Sequence, residues 1–235
     1  MTYAASARYY DLIYGEKDYT AEAAEVDRRI QAARPGAASL LDVACGTGAH
    51  LVHLAGRYRC EGVDLSADQL AVAAERVPDV PLHQADMEDF DLGRRFDAVI
   101  CLFSAIGYMT TLERLGRAIA AMARHLEPGG MLIVEPWLQP EVWVDGHLSA
   151  LFVDEPDMKL ARVGVSETHG RVSVLELHHL IATVEAGVEQ FVERHELGLF
   201  TTAEHLEAYA AAGLEAEHDP EGLTGRGLYA AIRPR

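Results

Sequence analysis

The stretch Ser39-Leu40-Leu41-Asp42-Val43-Ala44-Cys45-Gly46-Thr47-Gly48-Ala49-His50 constrains the fold more than any other part of the chain. Ser39 to Val43 is a short apolar run closed by a turn of small residues, and from Ala49 to Ala55 the apolar spacing becomes helical. The pattern is strand, tight loop, helix, which presents a helix N-terminus to a polar ligand. Gly46 and Gly48 remove side chains where the backbone must turn sharply or admit a ligand closely, and Asp42 at the strand end offers a carboxylate that accepts hydrogen bonds. A dinucleotide fingerprint requires a third glycine three residues after Gly48, where Leu51 stands, and Ala44 occupies the first glycine position of many nucleotide loops. The loop therefore argues against a hydride-transfer enzyme.

A second apolar strand, Cys60 to Val63, ends in Asp64, where a carboxylate can hold both hydroxyls of a ribose. A third, Val80 to His83, leads into Ala85-Asp86-Met87. Helices over Asp68–Arg76 and Leu112–His125 alternate with these strands and with Phe96–Leu102 and Met131–Glu135. That alternation requires a mostly parallel sheet with helices on both faces, an α/β fold. Asp97 to Leu102 is almost wholly apolar, as a central strand buried on both sides must be. Phe103-Ser104-Ala105-Ile106-Gly107-Tyr108 follows it, at the end of the sheet where ligands bind, and Pro128-Gly129-Gly130 turns the chain into the fifth strand.

In these three strand ends the chain resembles the S-adenosylmethionine-dependent methyltransferases of the Rossmann-like class. The resemblance implies that Asp64 binds the ribose, Asp86 the adenine amino group, and Gly46 and Gly48 the methionine part. It adds Tyr10, Asp42, Ala44, Leu65, Met87 and Leu102 as further cofactor-binding positions. Four tyrosines lie within the first fourteen residues, and a helix from Tyr19 to Ala33 follows them before Pro35-Gly36. These N-terminal helices either pack on the sheet rim or, as the resemblance implies, form a lid over cofactor and substrate.

Composition narrows the partners. With 235 residues, 49% of them hydrophobic, the chain has enough apolar surface for a sizeable core. No run of about 18 apolar residues is free of charge, and Met1-Thr2-Tyr3 opens neither a basic head nor an apolar export core. A cytoplasmic protein without a membrane partner is expected. Cys45, Cys60 and Cys101 fall in or beside strands, an arrangement that suits small packing residues better than a disulfide framework. The formal net charge of −17 repels a phosphate backbone, which argues against nucleic acid. The eleven histidines form no acidic ligand cluster at suitable spacing, so no metal site is expected, and His178 and His179 point to opposite faces of one strand.

From Gln139 to Leu199 the pattern changes to strand-like alternation over Lys159–Thr168, Arg171–Ala182 and Val188–Leu199. The expected organisation is a methyltransferase core over 1–138 and 200–235, with an antiparallel insertion over 139–199 that serves as a lid, a dimer surface or both. Val172, Val174 and Leu199 form the apolar face expected to make a homodimer. A capped helix over Thr201–Ala212 and strands over Glu215–His218 and Leu228–Ile232 close the chain.

Enzymes of this class that methylate planar amines carry Asn/Asp-Pro-Pro-aromatic after the fourth strand, where this chain has Leu102-Phe103-Ser104-Ala105. The phrases Ser39 to Gly48, Asp89-Phe90-Asp91-Leu92-Gly93-Arg94-Arg95-Phe96, Phe103 to Tyr108, Val134-Glu135-Pro136-Trp137 and Gly225-Arg226-Gly227-Leu228 are similar to those of the dTDP-aminosugar N,N-dimethyltransferases of antibiotic deoxysugar pathways. That resemblance implies a sugar amine as nucleophile, with Tyr108 and Tyr3 at the amine. As a purely structural residue, Tyr108 would instead pack against the methyl group. A nucleotide diphosphate must be met by specific cations in so acidic a protein. Arg226 between two glycines is the best placed, and Arg162 and Lys17 are either further diphosphate ligands or ordinary surface charge. Ser104, Trp137 and Tyr19 complete the substrate set, the two aromatics as stacking platforms. Leu138 stands where a second tryptophan often follows in the family. Two rival readings share the cofactor residues: a methyltransferase for another small natural product, and a non-catalytic binding protein of the same fold.

Overall fold

The structure, a computed structural model, describes residues 9–15 and 17–235, with the side chains of Tyr10 and Asp11 left out. Two short helical segments open it, α1 (Tyr10–Ile13) and α2 (Tyr19–Ala33), followed by β1 (Ser39–Val43), α3 (Ala49–Leu54), β2 (Arg59–Asp64), α4 (Ala67–Arg76), β3 (Leu82–Gln84) and β4 (Phe96–Cys101). A 3₁₀ turn (Ala105–Tyr108), α5 (Leu112–Arg124) and β5 (Leu126–Val134) complete the first half. The second half holds β6 (Leu148–Glu155), β7 (Met158–His169), β8 (Val172–Thr183), β9 (Gly187–Gly198), α6 (Thr202–Ala211), β10 (Glu215–Asp219) and β11 (Leu228–Ile232).

Seven strands form one sheet in the order β10-β11-β5-β4-β1-β2-β3, parallel except where β11 pairs antiparallel with both β5 and β10. Successive side chains of a strand face opposite ways, so each central strand feeds two cores. Leu41, Val43, Val99, Cys101, Leu132 and Val134 pack with α5 and α6, while Leu40, Ala98, Ile100, Met131 and Ile133 pack with α2 and α3. This double burial explains why β4 and β5 read as continuous apolar runs rather than alternating ones. The reversal of strand order beside β1 opens a crevice at the C-terminal strand ends, where Asp42, Asp64 and Cys101 lie.

The helix ends obey local rules. Asp18 caps α2, Ser66 caps α4, and Thr201 forms a reciprocal capping box with Glu204 on α6. Pro128-Gly129-Gly130 lies inside β5 as an irregularity, since Phe96 faces Leu126 but Ala98 already faces Met131. The fifth strand therefore starts five residues earlier than the turn signal predicts.

Strands β6-β7-β8-β9 form a separate antiparallel sheet. Three of them match the alternating segments of the sequence, but β6 is additional. It is an edge strand with little burial, so no solvent-to-core alternation marks it. One face of this sheet receives α1: Tyr9 and Ile13 pack on Leu160 and Ile181. The residues expected to make a dimer are partly wrong. Val174 and Leu199 are only 1% and 5% exposed, and the apolar side chains the sheet leaves open include Leu148, Phe152, Val163, Leu180, Val188 and Val192. Leu180, Val163 and Val192 share one face through the register Val163–His178–Val192 and Ala161–Leu180–Gln190.

Candidate functional site

The loop after β1 is shaped by three left-handed residues: Ala44 at φ 60°, Gly46 at φ 55° and Gly48 at φ 75°. Ala44 is the costly one, since a side chain disfavours that region, and strain of this kind collects at ligand sites. Asp64 fixes the loop. Its Oδ2 accepts from the Gly46 amide and its Oδ1 from the Ser66 amide, both at 2.8 Å. The Leu65 amide adds a third backbone bond to the same carboxylate. Burial raises the Asp64 pKa, and these amide bonds oppose the rise.

A cavity of about 470 Å³ opens beside this loop, walled by Ala44, Gly46, Asp64, Leu65, Asp86, Met87, Leu102, Phe103 and Tyr108, among others. Of the expected cofactor positions, Ala44, Gly46, Asp64, Leu65, Asp86, Met87 and Leu102 are thus brought to one wall. Asp86 accepts from the Glu88 amide at 3.0 Å. Gly48 has a different place: it starts α3, and a Cβ there would sit 3.3 Å from that of Ala73, so its absence lets α4 approach. Asp42 lies behind the wall, 2% exposed, its Oδ2 without a hydrogen-bond partner among the described residues. Burial, and then the charge of Asp64, push its pKa well above the usual carboxylate range. Gln69, which sequence reasoning missed, lines the cavity with its Oε1 also unpartnered. Tyr10 opens α1 with its side chain outside the described part, and Tyr3 lies wholly outside the described residues.

The loop after β4 carries the second half of the site. Phe103 and Ser104 are both left-handed, at φ 54° and 62°. Glu135, fully buried, holds them: it accepts from the Phe103 amide at 2.7 Å and from the Thr224 hydroxyl at 2.6 Å. It thereby joins the β4 loop to the loop between β10 and β11. The Ser104 hydroxyl donates to the Pro136 carbonyl at 2.7 Å and accepts from Arg226 at 3.2 Å. The Arg226 guanidinium lies 5.7 Å from the Phe103 ring centre and 5.6 Å from that of Trp137. No carboxylate among the described residues pairs with it.

Lys17 approaches the same Phe103 ring at 4.7 Å and the Tyr19 ring at 5.3 Å, with its charge matched by Glu22. Arg162 lies over Tyr14, whose ring meets Phe103 edge-on at 4.9 Å. All three cations expected from the sequence therefore gather around one aromatic group. Trp137 is steadied by its own Nε1–H, which donates to the Ser173 hydroxyl at 2.9 Å. The ring of Trp143 lies near it, with centres 6.1 Å apart. Tyr108 faces the cavity, and its hydroxyl lies 2.8 Å from Nδ1 of His195 on β9. His195 carries no signal in the sequence, because its partner lies 87 residues away.

The fold and the strand-end carboxylates define an S-adenosylmethionine-dependent methyltransferase, and residues 40–130 match the family described as a methyltransferase domain. The chain is 45% identical to a dTDP-3-amino-3,4,6-trideoxy-alpha-D-glucopyranose N,N-dimethyltransferase of Streptomyces venezuelae, over 96% of this chain and 97% of that protein. It is 40% identical to a dTDP-4-amino-2,3,4,6-tetradeoxy-D-glucose N,N-dimethyltransferase of Saccharopolyspora spinosa, over 97% and 92% of the two chains. Its structure superposes with a TM-score of 0.88 on an S-adenosylmethionine-bound amino pentose methyltransferase of Micromonospora echinaspora, 45% identical, covering 96% of each chain. The chain belongs to the dTDP-aminosugar N,N-dimethyltransferase family.

Proposed function

We propose that this protein transfers methyl groups from S-adenosylmethionine to the amino group of a dTDP-linked deoxy aminosugar, up to the dimethylamine, as a step in making an antibiotic sugar. The observation that carries this reading is the gathering of Arg226 and Lys17 on Phe103 and of Arg162 on the adjoining Tyr14, next to the cavity, in a chain of net charge −17. An acidic protein has no general field to attract a diphosphate, so it needs local cations, and planar guanidinium groups suit phosphate oxygens.

The residues present fit the cofactor. Asp64 and Asp86 face the cavity for ribose and adenine amino group, and Leu65, Met87 and Leu102 give apolar walls to the base. The unpartnered oxygen of Gln69 on the cavity wall is a buried acceptor of the kind a polar ligand completes. S-adenosylmethionine, when bound, supplies a methyl group on a sulfonium that is already an excellent electrophile. The protein's task is then alignment. Ser104 and Trp137 shape the sugar pocket around Arg226, Tyr19 lies at its rim, and Tyr108 offers its oxygen to the amine N–H.

The outer face of β6–β9 makes a two-fold dimer in this reading. It leaves Leu148 and Phe152 76% and 73% exposed, a cost that a second copy removes. The insertion thus acts as both inner lid and outer interface.

The deciding experiment is mass spectrometry of a panel of dTDP-aminosugars, with the amine at C3 or C4, incubated with S-adenosylmethionine. Gains of one and two methyl groups on a panel member support the assignment. Methyl transfer only to acceptors that lack a diphosphate overturns it.

A further inference from the structure

The inserted sheet turns a row of ionisable side chains toward α1 and the cavity, on a face otherwise occupied by Leu160 and Ile181. His195 and Glu193 of β9 and His179 of β8 are 3%, 7% and 2% exposed. Nε2 of His195 lies 3.7 Å from Oε2 of Glu193, and Nε2 of His179 lies 4.0 Å from the same oxygen. His179 is stacked on Phe191 at 4.5 Å, and its pKa is lowered by burial. A buried carboxylate and two imidazoles are expensive in a sheet face, and packing alone does not call for them. The row ends at the Tyr108 hydroxyl, 2.8 Å from His195 Nδ1, and Tyr108 lies on the cavity wall.

We infer that His195, backed by Glu193, is a positioning and proton-holding residue that acts through Tyr108 to free the substrate amine for its second methyl group. The inference rests on the proposed aminosugar reaction. In the first transfer the amine lone pair forms the N–C bond while the C–S bond breaks and its electrons go to sulfur. The nitrogen is left as a methylammonium with no lone pair, and a second transfer must wait for a proton to leave. The Tyr108 oxygen takes that proton while its own O–H proton passes to His195 Nδ1. One proton has then moved from nitrogen to imidazole, the methylamine is neutral, and the new imidazolium faces the Glu193 carboxylate. The proton passes to water when the products leave.

Among the described residues, the groups facing this imidazole include Tyr108 from the 3₁₀ turn, Glu193 from its own strand and His179 from β8, with Arg162 of β7 next to His179 in register. Burial, and then the nearby Arg162, hold the His179 pKa down against the pull of Glu193.

The test is single-turnover methylation of the dTDP-aminosugar and of its monomethyl form by wild type, His195→Asn and Tyr108→Phe across a pH series. An asparagine amide keeps a polar atom near the Nδ1 position for Tyr108 but holds no proton. The expected result for His195→Asn is accumulation of monomethyl product and a second transfer slowed on the order of a hundredfold near neutral pH, the low end of what general acid–base groups supply. The deficit should shrink as pH rises and the free methylamine fraction grows, with KM for either sugar unchanged. A wild-type ratio of mono- to dimethyl product and a wild-type pH profile would overturn the inference. Should His195→Asn fail to fold, Tyr108→Phe cuts the same relay at its other end, and a wild-type product ratio there overturns it equally. If the wild-type protein methylates no dTDP-aminosugar, the substrate assignment itself has failed, and that failure shows in the control reaction.

Discussion

Replacing Arg226 by alanine separates a nucleotide-sugar enzyme from other small-molecule methyltransferases. Within the protein this side chain gives little: one hydrogen bond of 3.2 Å to Ser104 and two ring faces beyond 5.5 Å from the guanidinium carbon. Cation–π contacts at a partly exposed site contribute about 0.5–1 kcal/mol, so folding should lose on the order of 1 kcal/mol. Toward a diphosphate the loss is larger, because a hydrogen bond to a charged group is worth about 1.5–3 kcal/mol, and kcat/KM for the dTDP-sugar should fall about ten- to a hundredfold. The change should appear in KM, with S-adenosylmethionine affinity by calorimetry left as in wild type, since Arg226 is not on the cofactor wall. Arg226→Lys should recover part of the loss, because an ammonium keeps the charge without the planar fork. The reasoning is refuted by a folded Arg226→Ala protein with normal KM. A lowered melting temperature alongside that normal KM would make Arg226 a turn residue holding the end of the last strand pair.

Asp64→Asn should weaken S-adenosylmethionine binding by about 1.5–3 kcal/mol in calorimetry while keeping an acceptor for the loop amides; unchanged affinity would remove Asp64 from the cofactor site. His205 is buried against Tyr229 and its pKa is lowered to about 4 by burial. Its folded pKa is thus below the unfolded value of about 6.5, so its contribution is fully present above that value and is lost as pH falls toward about 4, by on the order of 3 kcal/mol. Denaturant melts at two pH values should show this slope in wild type and a shallower one in His205→Phe; equal slopes would refute it. Phe152→Glu combined with Leu180→Glu should give a monomer in sedimentation, and a persistent dimer would place the interface elsewhere.

The parallel sheet was legible because its strands are apolar on both faces and end in turn residues or carboxylates; β1, α2 and β11 have the predicted boundaries. The cavity wall was legible for the same reason: Ala44, Gly46, Asp64, Asp86 and Leu102 sit at or just past strand ends, so sequence position fixes spatial position. The insertion was harder to read. Alternation identified three of its strands and the face of β8 on which Val172 and Val174 lie with the open Leu180, but not that this face is covered at Val174 or that α1 closes the opposite face through contacts with Leu160 and Ile181 that span more than a hundred residues. His195 and Glu135 were invisible for a related reason. A histidine in a strand and a glutamate before a proline are ordinary residues, and only the fold brings them to Tyr108, Phe103 and Thr224.

Glu135 has a bearing on how the protein is made. Most of the cavity wall comes from residues 44 to 114, which leave the ribosome early, whereas Arg226 and Thr224 come near the end of translation. Until Thr224 docks, one oxygen of the buried Glu135 lacks its hydroxyl partner, and β5 lacks β11 as its edge neighbour. The nascent chain therefore acquires most of the cavity wall before it acquires Arg226. A ribosome-stalled or proteolysed product that stops short of Thr224 would leave Glu135 half-satisfied at its centre and β5 unpaired on one side, which makes it a substrate for degradation.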